Sequence, residues 1–186
     1  MNDLLEKLEE DFFYLKQLWE EYKKLFSNKE SIEEINKYFG QCFQVFRLAI
    51  NNEIIITINR LLDNEKSGKN KNLVLESLIS HIDDENREFL KEKINEIREV
   101  RKICKLKELR DKRLAHRDVK QDSVFILINY DCIEEVIIMI EEFFKLFREK
   151  TKLDYLEYSE YITAPGCENL IEAIKFFNKN YFKEDS

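Results

Sequence analysis

The stretch LEKLEEDFFYLKQLWEEYKKLF, Leu5 to Phe26, decides the fold class. Leu5, Leu8, Phe12, Leu15, Trp19, Tyr22 and Phe26 recur at alternating intervals of 3 and 4, a heptad seam held over three repeats. Such a seam suits a long helix buried inside its own bundle; a coiled-coil dimer arm is the alternative. Composition agrees with helix. One Pro and three Gly are too few for the many tight corners of a sandwich or barrel. Hydrophobic residues at 44% with charged residues at 37% fit amphipathic helices with charged outer faces.

Reading outward, Ser27-Asn28-Lys29-Glu30 breaks the first helix, and Ser31-x-x-Glu34 has the form of a capping box. A second helix is expected from about Ile32 to Leu62, with Gly40 bending or loosening it; from Val45 onward it is apolar on most faces. Asn64 to Asn72 reads as a polar loop, followed by a short helix from about Leu73 to Ile82. Asp83-Asp84 opens a long helix with Leu90, Ile94, Ile97 and Cys104 along its apolar stripe, running into a motif segment at 98–118. Residues 119–128 look irregular. Asp131 to Lys150 forms a strong helix with Ile133, Val136, Ile137, Ile140, Phe143, Phe144 and Phe147 inward. A terminal helix over 166–183 is lined by Leu170, Ile174, Phe177 and Tyr181. The expectation is one all-α domain over 1–186, a bundle of five to seven helices.

The start of the chain lacks a signal-peptide pattern, and the apolar runs fall short of the ~20 residues that span a bilayer. Cys42, Cys104, Cys132 and Cys167 form no C-x-x-C pair and read as reduced core thiols. Cytoplasmic residence, no membrane contact, no metal and no cofactor are the expectations. Net charge is −7, yet residues 98–117 carry +6 from nine basic and three acidic side chains, leaving −13 elsewhere. That asymmetry fits a segment that meets a polyanion, or a solvated helix face paired with acids from elsewhere.

Two histidines are candidates for proton transfer. His81, at the end of a short helix, has no interpretable companion and suits a helix C-terminus. His116 stands beside Arg113 and Arg117, with Arg110 and Asp111 just upstream. An imidazole can move a proton at neutral pH, and a guanidinium can hold a phosphate whose charge builds in a transition state. Together they are a minimal kit for RNA cleavage without metal, although Arg-rich helices with one His are also structural elements.

Arg110-Asp111-Lys112-Arg113-Leu114-Ala115-His116 resembles the Arg-x(4–6)-His signature of HEPN domains. The string from Leu109 to Asp118 is similar to the AbiU2-like branch, associated with abortive infection and other prokaryotic defence. Asn59-Arg60-Leu61-Leu62-Asp63, the polar loop and Asn72 to Leu78 resemble that branch's Arg-Leu-x-Asp helix end and following short helix, and Gly166 to Leu170 has a similar counterpart. The resemblance spans about residues 30–175. It implies an antiparallel helical bundle forming a two-fold homodimer, with two motifs facing one cleft. It also implies a metal-independent ribonuclease, often a toxin held by an antitoxin protein, or a relative that binds RNA or nucleotides without cutting. Arg110 and His116 would be the active pair and Asp111 an orienter. Lys112, Arg113 and Arg117 would contact the RNA backbone. Arg60 and Asp63 would form a structural pair or a rim contact with the motif. One toxin branch carries a modifiable Tyr two residues after the motif His; here Asp118 stands there, so that regulation is not expected.

One geometric point bears on the pair. Six positions at 100° put Arg110 and His116 about 240° apart on an ideal helix. Either the helix starts or breaks inside the motif, or the pair forms across a two-fold axis. A helical protein-interaction domain without chemistry is the remaining alternative.

Overall fold

A computed structural model describes residues 1–67, 70–111, 129–154 and 166–181. Helix dominates: α1 (Asn2–Phe26), α2 (Lys29–Tyr38), α3 (Gly40–Leu62), a 3-10 segment (Leu75–His81), α4 (Asp84–Ile103), α5 (Leu106–Leu109), α6 (Tyr130–Thr151) and α7 (Cys167–Tyr181). The described ends of the expected polar loop pair as two short strands, β1 (Lys66–Ser67) and β2 (Asn70–Lys71), with Lys66 opposite Lys71 and Ser67 opposite Asn70. Among the described residues, no helix is long and apolar enough to cross a membrane. The chain divides into two compact units: Met1–Leu15 with Ile55–Glu157, and Lys16–Ile54 with Tyr158–Ser186.

In the first unit the early part of the heptad seam is core. Leu5, Leu8, Phe12 and Leu15 are buried, and Phe12 meets Phe144 of α6 at 5.3 Å between ring centroids. All seven apolar positions read as inward on α6, Ile133 to Phe147, are buried. Asn129 opens α6 by accepting the Asp131 amide at 3.1 Å, while Lys152, in the left-handed region at φ 56°, closes it. Asp83 caps α4 by accepting the Asn86 amide at 3.1 Å. Cys104, at the end of α4, is bonded to Cys132 in the first turn of α6; at the other end Lys150 lies over the Phe89 ring. These two contacts make α4 and α6 antiparallel.

That disulfide corrects the reading of four reduced core thiols. Packing of α4 on α6 brings the two Cα atoms to 5.9 Å, a proximity that a separation of 28 residues in sequence does not reveal. Cys42 is exposed and Cys167 half-buried, so neither is a core thiol. The long helix also ends earlier than expected. Lys105 takes a left-handed φ of 54° and its amide bonds the Lys102 carbonyl at 2.9 Å, which closes α4 before the motif begins.

In the second unit, Leu25, Ile35, Phe43, Ile171 and Ile174 form the core, with Phe26 only partly buried. The expected continuous helix from Ile32 is two helices here. Phe39, at φ −119° and ψ 10°, separates α2 from α3, and the cap is Asn28, whose side chain accepts the Glu30 amide at 2.9 Å. Ser31 lies inside α2 and is buried. The α7 face is also corrected. Ile171, Ile174 and Asn178 point inward, whereas Leu170, Phe177 and Tyr181 are exposed. Asn178 sets that rotation by donating to the backbone and side chain of Glu34 at 3.2 and 2.8 Å. A polar anchor of this kind is invisible to an apolar-stripe reading. Gly166 leaves room where α7 begins: a Cβ there would crowd the carboxylate of Glu21, which accepts the Cys167 amide at 2.6 Å, and would push that side chain aside.

Candidate functional site

The site is built on the C-terminal end of α3. Ile58, Leu61 and Leu62 are fully buried, which fixes the helix end in the first unit. Asn59 is buried beside them, and its amide donates to the carbonyls of Ile55 at 2.8 Å and Leu106 at 3.0 Å. The second bond ties the start of α5 to α3.

Three arginines converge on the next residue. Arg98 of α4 donates to the Leu62 and Asp63 carbonyls at 3.0 and 2.8 Å and to Glu76 at 2.8 Å. It therefore satisfies carbonyls that the end of α3 leaves without a helical partner. The Asp63 carboxylate is shared between Arg101 of α4, at 3.3 Å, and Arg110, just after α5, in close contact. Arg110 Nε also donates to Asp111 at 2.8 Å. Nη2 of Arg110 has no partner among the described residues.

Burial tunes these charges. Around Arg101 desolvation is the largest influence and pushes its pKa below the usual arginine value; Asp63 opposes this, while Arg98 and Arg110 add to it. For Arg110 burial also disfavours the charge, but hydrogen bonds to Asp63 and Asp111 outweigh it and raise the value. Arg110 is thus held as a fixed cation with a defined orientation.

Of the residues expected in the site, Arg110 and Asp111 stand together directly after α5. His116, Lys112, Arg113 and Arg117 lie outside the described residues. α5 spans only four residues after the break at Lys105, so the motif does not start on one long straight helix. Arg60 does not pair with Asp63; it reaches Asp11 of α1 at 2.7 Å, and of the two alternatives Asp63 makes the contact with the motif. His81 is exposed at the end of the 3-10 segment.

Arg101 is the residue that sequence reading missed in this role. The signal was present: 90, 94, 97 and 101 continue the buried stripe of α4 at intervals of 4, 3 and 4. A guanidinium in phase with core positions demands a buried acceptor, and Asp63 provides it. Elsewhere, burial first and then the Glu21 carboxylate push the Cys167 thiol up to about 12, so it is no nucleophile at neutral pH.

The model of the AbiU2 family of HEPN domains matches residues 2–144. The chain belongs to that family. No curated protein and no solved structure matches the chain. The matched span takes in α3, the arginine cluster and the whole of the 110–116 motif. AbiU2-type sequence and the Asp63–Arg110 contact therefore meet at one place in the chain.

Proposed function

We propose that this AbiU2-family chain is a metal-independent endoribonuclease of prokaryotic defence or toxin systems, working as a homodimer whose two motifs share one cleft. The observation that carries the reading is the Arg110 guanidinium, held as a cation and oriented by Asp63 and Asp111. In this reading His116 takes the proton from a ribose 2′-hydroxyl, and O2′ attacks the adjacent phosphorus. Arg110 holds the non-bridging oxygens as negative charge builds on the phosphorane. The bond to O5′ breaks, that oxygen takes a proton, and a 2′,3′-cyclic phosphate and a 5′-hydroxyl remain. Lys112, Arg113 and Arg117 contact flanking phosphates. Asp63 positions Arg110 without touching substrate. Exposed Val45, Phe46 and Leu48 on α3 support pairing with a second copy, since clustered apolar side chains mark association surfaces. An antitoxin protein would hold the enzyme silent.

The test is incubation of mixed RNA with purified protein in EDTA. Wild type is expected to leave cyclic-phosphate ends, and His116→Ala and Arg110→Ala none. Asp63→Asn should cut kcat more than it changes KM, because a misaligned guanidinium still binds but stabilises the transition state less. RNA bound but never cut would select a non-catalytic binding module, and activity lost on chelation would refute the mechanism.

A further inference from the structure

Along α4 and α5, beside the residues that hold Asp63 and Arg110, lies an open groove of about 520 Å³. Five basic side chains line it, Arg98, Arg101, Lys102, Lys105 and Lys107, against three carboxylates. Three of the five are already engaged: Arg98 with Glu76, Arg101 with Asp63, and Lys102 with Glu99 at 3.4 Å. Lys105 and Lys107 have no ion-pair partner among the described residues.

Two further observations point to a ligand. The side chain of Arg101 is 9% exposed, and its Nε is buried without a hydrogen-bond partner. A buried donor left unsatisfied in the wall of an open groove is a costly feature unless something supplies an acceptor there. The second is Lys105 itself. Its φ of 54° is a position that ordinarily falls to Gly or Asn, because a Cβ is strained in the left-handed region. Lys105 closes α4 as Lys152 closes α6, and in doing so it places its cation on the groove.

We infer that the groove is a phosphate-binding track for the RNA strand, carried by Arg101, Lys105 and Lys107 and bordered by Asp111, the partner of Arg110. The ligand chemistry, phosphate oxygen, is read from the groove; its source, an RNA backbone, rests on the nuclease reading above. Phosphates accept hydrogen bonds and donate none, which suits the ammonium groups of Lys105 and Lys107. A strand crossing the groove would be fixed in register upstream of Arg110, since phosphate contacts position a strand without reading its bases.

The experiment measures binding of a single-stranded RNA oligomer to full-length His116→Ala protein over 50–200 mM salt. The comparison is with the same protein carrying Lys105→Gly and Lys107→Gln. Losing two phosphate contacts should lower the slope of log affinity against log salt by about 1.4, at about 0.7 per contact. Lys105→Gly should also raise the melting temperature, since Gly relieves the left-handed strain. Weaker RNA binding in a more stable protein is an outcome that a purely structural role does not give. Lys91→Gln with Lys93→Gln, on α4 outside the groove, should leave the slope unchanged. Inorganic tripolyphosphate is the second probe: competition with RNA is expected, and a groove that binds tripolyphosphate while RNA affinity ignores Lys105 and Lys107 overturns the RNA track. An unchanged slope in the double variant, while wild type still cleaves RNA, overturns the groove alone. A reduced slope with no cleavage by wild type keeps the groove and rejects the nuclease. Absence of any RNA binding rejects both.

Discussion

Glu9 and Arg148 meet as one carboxylate and one guanidinium, with both oxygens of Glu9 accepting from Arg148 at 2.6 Å and a third nitrogen donating to the Asp154 carbonyl at 2.8 Å. Asp63, in the same unit, divides one carboxylate between Arg101 and Arg110, and Arg101 Nε is a buried donor without a partner among the described residues. The groups are alike, but the accounts close differently. The Glu9 pair uses the planar fork of arginine in the geometry that suits it best. The Asp63 cluster keeps hydrogen-bonding capacity in reserve. Saturation is what a structural pair needs, because a buried ion with unmet bonds destabilises the fold. Unmet capacity beside a groove is what a site for an anionic ligand needs.

The comparison breaks if both carboxylates turn out to carry equal weight in folding. Glu9→Ala strands a guanidinium that is 12% exposed and should cost about 3–5 kcal/mol in urea unfolding. Asp63→Ala should cost less, about 1–3 kcal/mol: Arg110 keeps Asp111, and Arg101, though buried, loses only a single long contact of 3.3 Å to a carboxylate that is 23% exposed. The two values should separate clearly; a larger loss for Asp63→Ala would make its cluster the structural one.

The second expected effect concerns the frame that joins the two clusters. The bond between Cys104 and Cys132 ties α4, which carries Arg101, to α6, which carries Arg148. For a loop of 28 residues, the chain-entropy relation gives about 3.6 kcal/mol of stabilisation. Cys104→Ser should lower stability by up to that amount under oxidising conditions, and by little in the presence of a thiol reductant. Equal unfolding midpoints for the wild type with and without reductant would show that the tie carries no weight.

Legibility follows the same division. Elements whose side chains repeat with helical period were readable: the inward face of α6 and most of the α1 seam stand as the intervals imply. What the pattern could not carry were events set by single residues. Asn178 turns α7 so that Phe177 faces outward, Phe39 divides the expected second helix, and Lys105 stops α4 one turn before the motif. Each depends on a hydrogen bond or a dihedral angle that hydropathy does not encode. In the site, Arg110 and Asp111 were found through the motif, whereas the partnership of Asp63 with Arg101 required the fold, since 38 residues separate them. The charge count across 98–117 had included Arg101 only as surface charge, although its phase with Leu90, Ile94 and Ile97 placed it on the buried side.

The smallest expected effect tests how much of the open cluster depends on charge. Glu76 sits below the usual carboxylate range, chiefly because Arg98 donates to it, with burial opposing. A carboxyl whose folded pKa is depressed contributes stability above its unfolded value, near 4.3, and loses it as pH falls through the folded value. Melting temperature should therefore decline in acid, and Glu76→Gln should flatten that decline while costing about 0.5–1 kcal/mol at neutral pH. Arg98 stays in place in that variant, because its bonds to the Leu62 and Asp63 carbonyls do not titrate. The end of α3, and with it the position of Asp63, should then be unmoved, so the variant should keep the RNA affinity of wild type at neutral pH. A parallel loss of affinity would instead make Glu76 part of the support for Arg110, and the boundary of the open cluster would move outward to the 3-10 segment.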